Sequence, residues 1–269
     1  AGRLSSNRNN AEDASTSIAS FDSDGFTVGS SAAYINSNNA NIVAWNWKAN
    51  GSGSSNTNGS ITSTVSANVD AGFSIVSYTG TGSNATVGHG LSSAPEMIIA
   101  KARSGTSPWP VYQKYAGTNA QEYYLWLNTT KALTVYDAYW NDTVPSATFF
   151  SIGNDGSING SSQTQIAYCF HSVDGYSKVG SYTGNGNADG TFVYTGFRPA
   201  FVLTKQSSTT GDWTLHDSAR DIDNPLFNEL TANSSGAEGT SDADIDFTSN
   251  GFKIRRASGQ FNTNGATVI

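Results

Sequence analysis

Cysteine and methionine are almost missing from this chain, which has one of each in 269 residues. The single cysteine, Cys169, excludes a disulfide within the chain. Its position inside an apolar stretch favours a buried structural thiol over a reactive one.

Positive charge is also scarce, because 14 Lys and Arg residues stand against 21 Asp and Glu residues and the net charge is −7. Nucleic-acid binding needs a clustered basic face, and the sequence shows none. Long apolar runs are missing too, since no stretch approaches the roughly 20 residues of a membrane span. We therefore expect neither a nucleic acid nor a membrane as a partner.

Residues that bind metals or carry out catalysis are few. The three histidines, His89, His171 and His216, stand 45 to 82 residues apart. This spacing indicates neither a catalytic triad nor a metal site, and we expect the three histidine side chains to lie at the surface. The carboxylates form no pattern that would place two acids across a cleft for glycoside cleavage; those considered are Glu96, Glu122, Asp137 and Asp142. The chain is therefore predicted not to be an enzyme.

Two short runs resemble ligand loops but are better explained as turns. Asp22-Ser23-Asp24-Gly25 resembles the start of a calcium loop, yet it lacks the distal bidentate Glu. An Asp or Asn before Gly favours a hairpin turn there. Gly80-Thr81-Gly82 lacks the helix and the lysine that follow in a phosphate-binding loop. No cofactor and no metal are expected.

What the chain does contain is a correspondence with itself. Residues matching at a spacing of 226 are Leu4, Asn7, Ala11-Glu12, Phe21, Ser23, Gly25-Phe26 and Asn36 with Leu230, Asn233, Ala237-Glu238, Phe247, Ser249, Gly251-Phe252 and Asn262. A looser match at a spacing of 104 joins Ser77–Gly80, Pro95, Lys101 and Trp109 to Ser181–Gly184, Pro199, Lys205 and Trp213. Such a period predicts an array of units of about 100 residues.

The correspondence predicts three stretches. Residues 1–50 would be the C-terminal half of a repeat, 51–171 a complete repeat that opens with a Gly/Ser/Asn linker, and 172–269 a further repeat without its last strand. We expect residues 50–60 to be a flexible linker. Either the sequence is a segment of a longer protein or neighbouring subunits complete the open sheets. We favour the segment.

Alternation of apolar side chains predicts strands throughout the chain. It is clearest at 42–47 and 166–170, whereas 97–100 and 201–204 are predicted to be buried core strands. Further strands are predicted at 73–78, 111–113, 123–127, 148–152, 176–182, 191–195 and 213–216. Gly- and Asn-rich turns separate them, and no amphipathic helix of three turns is apparent. The predicted fold is all-β, with tandem antiparallel β-sandwich repeats of lectin or jelly-roll type.

Aromatic residues, 12% of the chain, give the best indication of binding. A cluster in the second stretch has no close match in the third, and a sugar ring could stack on Trp140 while amide and carboxylate groups bind its hydroxyls. The candidate carbohydrate-binding residues are Tyr136, Tyr139, Trp140, Asn141 and Asp142. The alternative is that Trp140 caps the sandwich core. Trp109 and Trp213 occupy matching positions and are predicted to be core residues.

Several motifs resemble a known family. They are Phe21–Phe26, Gly80–Gly82, Val87–Leu91, Ala94–Ile99, Gly184–Gly186 and Gly196–Ala200. These motifs are similar to an uncharacterised repeat domain of marine bacteriophage structural proteins, such as those of cyanophages. That domain often stands next to concanavalin-like lectin domains in virion or tail proteins. The resemblance implies a virion role and supplies no catalytic residues.

The expectation is a phage virion structural protein, a tail fibre or tail-associated adhesin on the virion surface, that binds host carbohydrate. Expected partners are other virion proteins, a host cell-surface glycan and further copies of the chain in a homo-oligomer. Three alternatives stay open: a head or tail decoration protein without receptor binding, a polysaccharide depolymerase, and a bacterial surface adhesin.

Overall fold

The computed structural model describes residues 2–14, 17–29, 35–240, 244–257 and 259–269. Short strands dominate it. The strands of the described residues are β1 (Ile18–Phe21), β2 (Phe26–Val28), β3 (Ser54–Asn56), β4 (Ser63–Asn68), β5 (Phe73–Thr79), β6 (Ala85–Gly88), β7 (Met97–Ala102), β8 (Pro110–Gln113), β9 (Tyr123–Trp126), β10 (Thr134–Val135), β11 (Phe149–Ile152), β12 (Thr164–Phe170), β13 (Tyr182–Thr183), β14 (Phe192–Tyr194), β15 (Phe201–Lys205), β16 (Trp213–Asp217), β17 (Leu230–Thr231), β18 (Ile245–Thr248), β19 (Gly251–Ile254) and β20 (Thr267–Val268). Helix is confined, within the same residues, to one turn, α1 (Gly156–Asn159), and a 3-10 turn at Ala120–Glu122. The predicted all-β class is confirmed.

The largest sheet has eight antiparallel strands in the order β10-β9-β8-β7-β12-β5-β4-β3. Strand β12 lies at its centre and pairs with both β5 and β7. The predicted alternation in β12 is confirmed, because Ala167 and Cys169 are fully buried on one face while Tyr168 on the other is half-buried. Cys169 is thus a structural thiol, and burial raises its pKa to about 12.

A second layer covers one face of this sheet. It consists of the antiparallel pair β6–β11, and Val87 of β6 forms a bridge with Ile61 in the connection between β3 and β4. Val87, Phe150 and Ile152 of this layer belong to the same buried cluster as Val76 and Ile98 of the sheet. Two packed layers around one apolar core form a β-sandwich arrangement.

Residues beyond 180 form three smaller antiparallel sheets. Their strand orders are β13-β20, β14-β19-β18 and β15-β16-β17. Their core contains Leu226, Ile245, Phe247, Phe252, Ile254 and Phe261. A third cluster packs the two regions together through Trp109 and Trp213, which confirms the prediction that both indoles are core residues.

The predicted hairpin turn is present, and a matching hairpin closes the last part of the chain. Asp22-Ser23-Asp24-Gly25 joins β1 to β2, with Phe21 opposite Phe26. Residues 248–251 close the β18–β19 hairpin in the same way. No helix in the described part of the chain is both long and apolar enough to cross a membrane.

Three local expectations were wrong. Residues 42–47 form no strand, because their indoles pack against other rings instead of a strand edge. The ring centroids of Trp45 and Trp47 lie 5.4 and 5.5 Å from that of Phe201. The expected linker 50–60 contains β3, which pairs with β4 at the edge of the large sheet. Of the expected strand 176–182 only its last residue, Tyr182, lies in a strand, β13.

Candidate functional site

The structure separates the predicted aromatic residues into core and surface. Trp140 and Tyr139 are 1% and 3% exposed, and the Trp140 ring packs edge-on against Tyr112 with centroids 5.7 Å apart. Trp140 therefore offers no face to a sugar, which corresponds to the alternative in which it caps the core. Tyr136 is 41% exposed and is the ring of this group that solvent reaches.

Other aromatic and charged groups surround Tyr136. We define the Tyr136 patch as Tyr124, Trp126, Lys131, Tyr136 and Asp155. The Tyr136 hydroxyl donates to Asp155 Oδ2 over 3.1 Å, and its ring lies 6.0 Å from that of Tyr124. Lys131 Nζ lies 4.7 Å from the centre of the half-buried Trp126 ring. It also donates to the Tyr124 hydroxyl over 2.8 Å.

Local structure positions these side chains. Tyr124 and Trp126 lie on β9, and Thr134 of β10 pairs with Tyr124, so the short β9–β10 connection places Lys131 beside them. Asp155 is the N-cap of α1 and accepts the Ser157 N–H over 2.7 Å. Because both ends of the patch are held by backbone pairing or capping, its polar groups stay near the exposed ring.

The patch combines an aromatic face with groups of both charges. The nearby Asp155 carboxylate raises the pKa of Tyr136 above its usual value, in keeping with the hydrogen bond that the phenol donates to it. A ring face beside an ammonium and a carboxylate suits a polyhydroxylated ligand, because C–H faces stack on rings while hydroxyls need donors and acceptors.

Asn141 and Asp142 belong to a turn next to the core. Both have a left-handed backbone, with φ of 50° and 44°. Asn84 Nδ2 donates to Asn141 Oδ1 over 2.5 Å, while Asp142 is exposed. These contacts connect the turn to the loop before β6.

A second exposed aromatic surface lies on β14. Phe192 and Tyr194 are 45% and 66% exposed and share the outer face of this edge strand, whereas Val193 packs inward. Lys253 stands opposite Phe192 and forms an ion pair of 2.6 Å with Asp189. Rings beside paired charges again resemble a surface for polar, ring-shaped ligands.

The expectation of surface histidines was wrong, since His89, His171 and His216 are all buried. His89 Nδ1 accepts the Leu91 N–H over 3.1 Å, and burial lowers the pKa of His89. His171 Nδ1 lies 2.8 Å from the Ser172 carbonyl oxygen. Sequence alternation could not have placed His216, because every residue of β16 is buried.

The buried His216 lies among carboxylates that its sequence neighbours did not indicate. Its Nε2 is 3.2 Å from Asp244 Oδ2, and one ligand atom each of His216, Glu229 and Asp244 lies within 4.8 Å of the others. Burial, with a contribution from Asp244, raises the pKa of Glu229. A divalent cation accepts such a donor set. Arg256 Nη1 already pairs with Asp244 Oδ1 over 3.1 Å, so Asp244 has a compensating charge without a metal and we assign none.

The whole chain, residues 1–269, matches a family model described as a domain of unknown function, DUF7483, and the chain belongs to that family. No curated protein matches the chain. No solved structure matches it either.

Proposed function

We propose that this member of the family is a bacteriophage virion structural protein, a tail fibre or tail-associated adhesin, that binds host surface carbohydrate. It would act on the outside of the particle together with other virion proteins and further copies of itself. Its sandwiches would belong to the repeat domain of marine phage structural proteins that the sequence motifs resemble.

The observation that carries the binding proposal is the Tyr136 patch. Its exposed phenol has a hydrogen-bonded carboxylate, Asp155, on one side, and the Lys131 ammonium lies over the neighbouring Trp126 ring. The composition supports a role at a surface, because 13% charged residues with a net charge of −7 limit nonspecific attraction to anionic polymers.

Binding of the intact chain to immobilised bacterial lipopolysaccharides and capsular polysaccharides tests this function. For a polysaccharide that binds, Tyr136→Ala should lower the affinity about 3- to 10-fold, since a stacked aromatic contact contributes about 0.5–1.5 kcal/mol. Tyr176→Ala is the matched control, because Tyr176 is 62% exposed and outside the patch. Unchanged binding by the Tyr136→Ala variant would show that the Tyr136 patch is not the binding site. If the chain bound none of the polysaccharides, the adhesin function would be rejected.

Three alternatives give different results in simple assays. A decoration protein without receptor binding would be present in hundreds of copies per particle and bind no glycan. A depolymerase would lower the viscosity of a host polysaccharide solution. A bacterial surface adhesin would be absent from purified particles and present on cells.

A further inference from the structure

Lys101 is a fully buried lysine held by oxygen atoms from two parts of the chain. Its Nζ donates to the Ala102 carbonyl over 2.8 Å and to Ser107 Oγ over 3.1 Å. It also reaches the Asn9 carbonyl over 3.3 Å, and the same carbonyl accepts the Ser107 N–H over 2.9 Å. The ammonium thus ties the turn after β7 to residues near the start of the chain.

Lys205, 104 positions later, contacts the same two places, which are the residue six positions after the lysine and a separate turn. It too is fully buried, and its Nζ donates to the Gly211 carbonyl and, over 3.0 Å, to the Thr130 carbonyl. The Thr130 carbonyl also accepts the Gly211 N–H over 2.9 Å. Thr130 therefore has the role for Lys205 that Asn9 has for Lys101.

An indole eight positions after each lysine adds a second matching contact. Trp109 Nε1 donates to the carbonyls of Ser5 and Arg8, each over 3.1 Å. Trp213 Nε1 donates to the Trp126 carbonyl over 2.9 Å. Each Lys–Trp pair thus docks on a short acceptor turn. The accepting carbonyls that the two turns have in common, Ser5 with Asn9 and Trp126 with Thr130, lie four positions apart.

A third turn contains the same kind of backbone hydrogen bond as the two acceptor turns. The bonds are Arg8 N–H to Ser5 O, Thr129 N–H to Trp126 O, and Ser234 N–H to Thr231 O, with lengths of 3.2, 3.3 and 3.4 Å. A second pair of matching hydrogen bonds follows the first two turns. The Glu12 N–H donates to the Arg103 carbonyl and the Leu133 N–H to the Ser207 carbonyl, each over 2.8 Å. The corresponding position after the third turn is Glu238.

The third turn carries no Lys–Trp pair in the described part of the chain. Ser6 Oγ donates to the Ala232 carbonyl over 2.7 Å, but no indole or ammonium bonds to the carbonyls of Thr231 or Ser235 there. Residues 234–240 are all exposed. Among the described residues, the carbonyls of Thr231 and Ser235 and the N–H of Glu238 therefore lack the partners that the matching groups bind on the first two turns.

We propose that residues 231–238 form a docking surface for one further β-unit of this family, which presents a buried lysine and, eight positions later, a tryptophan. The lysine would donate to the Ser235 carbonyl and the indole to the Thr231 carbonyl. A backbone carbonyl of the unit would accept the Glu238 N–H. Duplication of the same contacts at two places in one chain supports this occupant over an unrelated protein.

The chain itself supplies a probe for this surface. Since residues 230–262 match 4–36, Ile269 corresponds to Val43, and residues 44–171 appended after Ile269 continue the match in phase. The added copy brings its own Lys101 and Trp109. Hydrogen exchange of the peptide 231–238, which occurs once in the extended chain, should slow at least about 10-fold relative to the original chain.

The matched control is the same extended chain with Lys101→Met and Trp109→Phe in the added copy alone. It should lose most of the protection while the original 269 residues keep theirs. Unchanged exchange at 231–238 beside an added copy that resists proteolysis would overturn the proposal. An added copy that is digested while the original chain stays intact would overturn it as well, because the surface would have failed to hold it.

Discussion

At the scale of single residues, burial decides which aromatic rings can bind and which stabilise the fold. Trp140 and Tyr136 are four positions apart, but one is in the core and the other at the surface. The sequence identified the stretch, since it is rich in rings. It could not separate the two roles, because no strand period runs through this loop.

Trp140→Phe tests the core role. The indole N–H has no hydrogen-bond partner within the described residues, so the change removes volume and no bond. We expect a loss of about 1–2 kcal/mol in the free energy of unfolding and unchanged glycan binding. Urea unfolding and the polysaccharide assay measure the two quantities, and a binding defect without a stability defect would contradict the core role.

Lys205 predicts a pH dependence of stability. Burial lowers its pKa from 10.5 to about 8, so between these values the unfolded chain binds more protons than the folded chain. The free energy of unfolding therefore rises with pH in this window. Relative to Lys205→Met, the wild-type chain should gain about 2 kcal/mol from pH 8 to pH 9.5.

Urea unfolding at pH 7, 8 and 9.5, followed by tryptophan fluorescence, measures this difference. Below about pH 7 the lysine is charged in both states, so the difference between wild type and variant should become constant there. Parallel curves for the two proteins over the whole range would show that Lys205 keeps its ordinary pKa.

At the scale of elements, the two matching hairpins provide a paired test. A Cβ on Gly251 would lie 2.1 Å from the Val193 carbonyl oxygen of β14, whereas a Cβ on Gly25 would meet nothing within 4 Å. Gly251→Ala should lower the free energy of unfolding by about 1–3 kcal/mol through overpacking. Gly25→Ala should stay within about 0.5 kcal/mol of wild type in the same thermal or urea measurement. Equal effects would contradict the packing of β14 on β19.

Several of the strands that the sequence predicted correctly have two neighbours in a sheet. In β12, β7 and β16 the predicted strand has a paired strand on both sides. Residues 42–47 have the same alternation but pack by their rings, with Trp45 Nε1 donating to Asp217 Oδ2 over 3.1 Å. Alternation reports which faces are apolar and does not report whether a strand edge is available.

The Tyr136 patch shows the corresponding limit for the site. Tyr136 was predicted, while Trp126, Lys131 and Asp155 were not. In the sequence, Trp126 is explained by its place in a strand and Asp155 by its role as a helix cap, so neither residue indicates a binding site by itself. Only the pairing of β9 with β10 and the position of α1 bring them together.

At the scale of the whole molecule, two β-rich regions are joined by a shared core. The Tyr136 patch and β14 are two separate aromatic surfaces that the molecule exposes. Weak contacts at both surfaces, repeated in several copies on a particle, would act together with an avidity set by their spacing. This organisation suits attachment to a repetitive glycan.

Quantitative mass spectrometry of purified phage particles tests the central claim, that this is an attachment protein of a virion, most directly. The account predicts a few to a few tens of copies of the polypeptide per particle, as for a tail or fibre component. Absence from the particles, with the protein found on the bacterial surface instead, would contradict it.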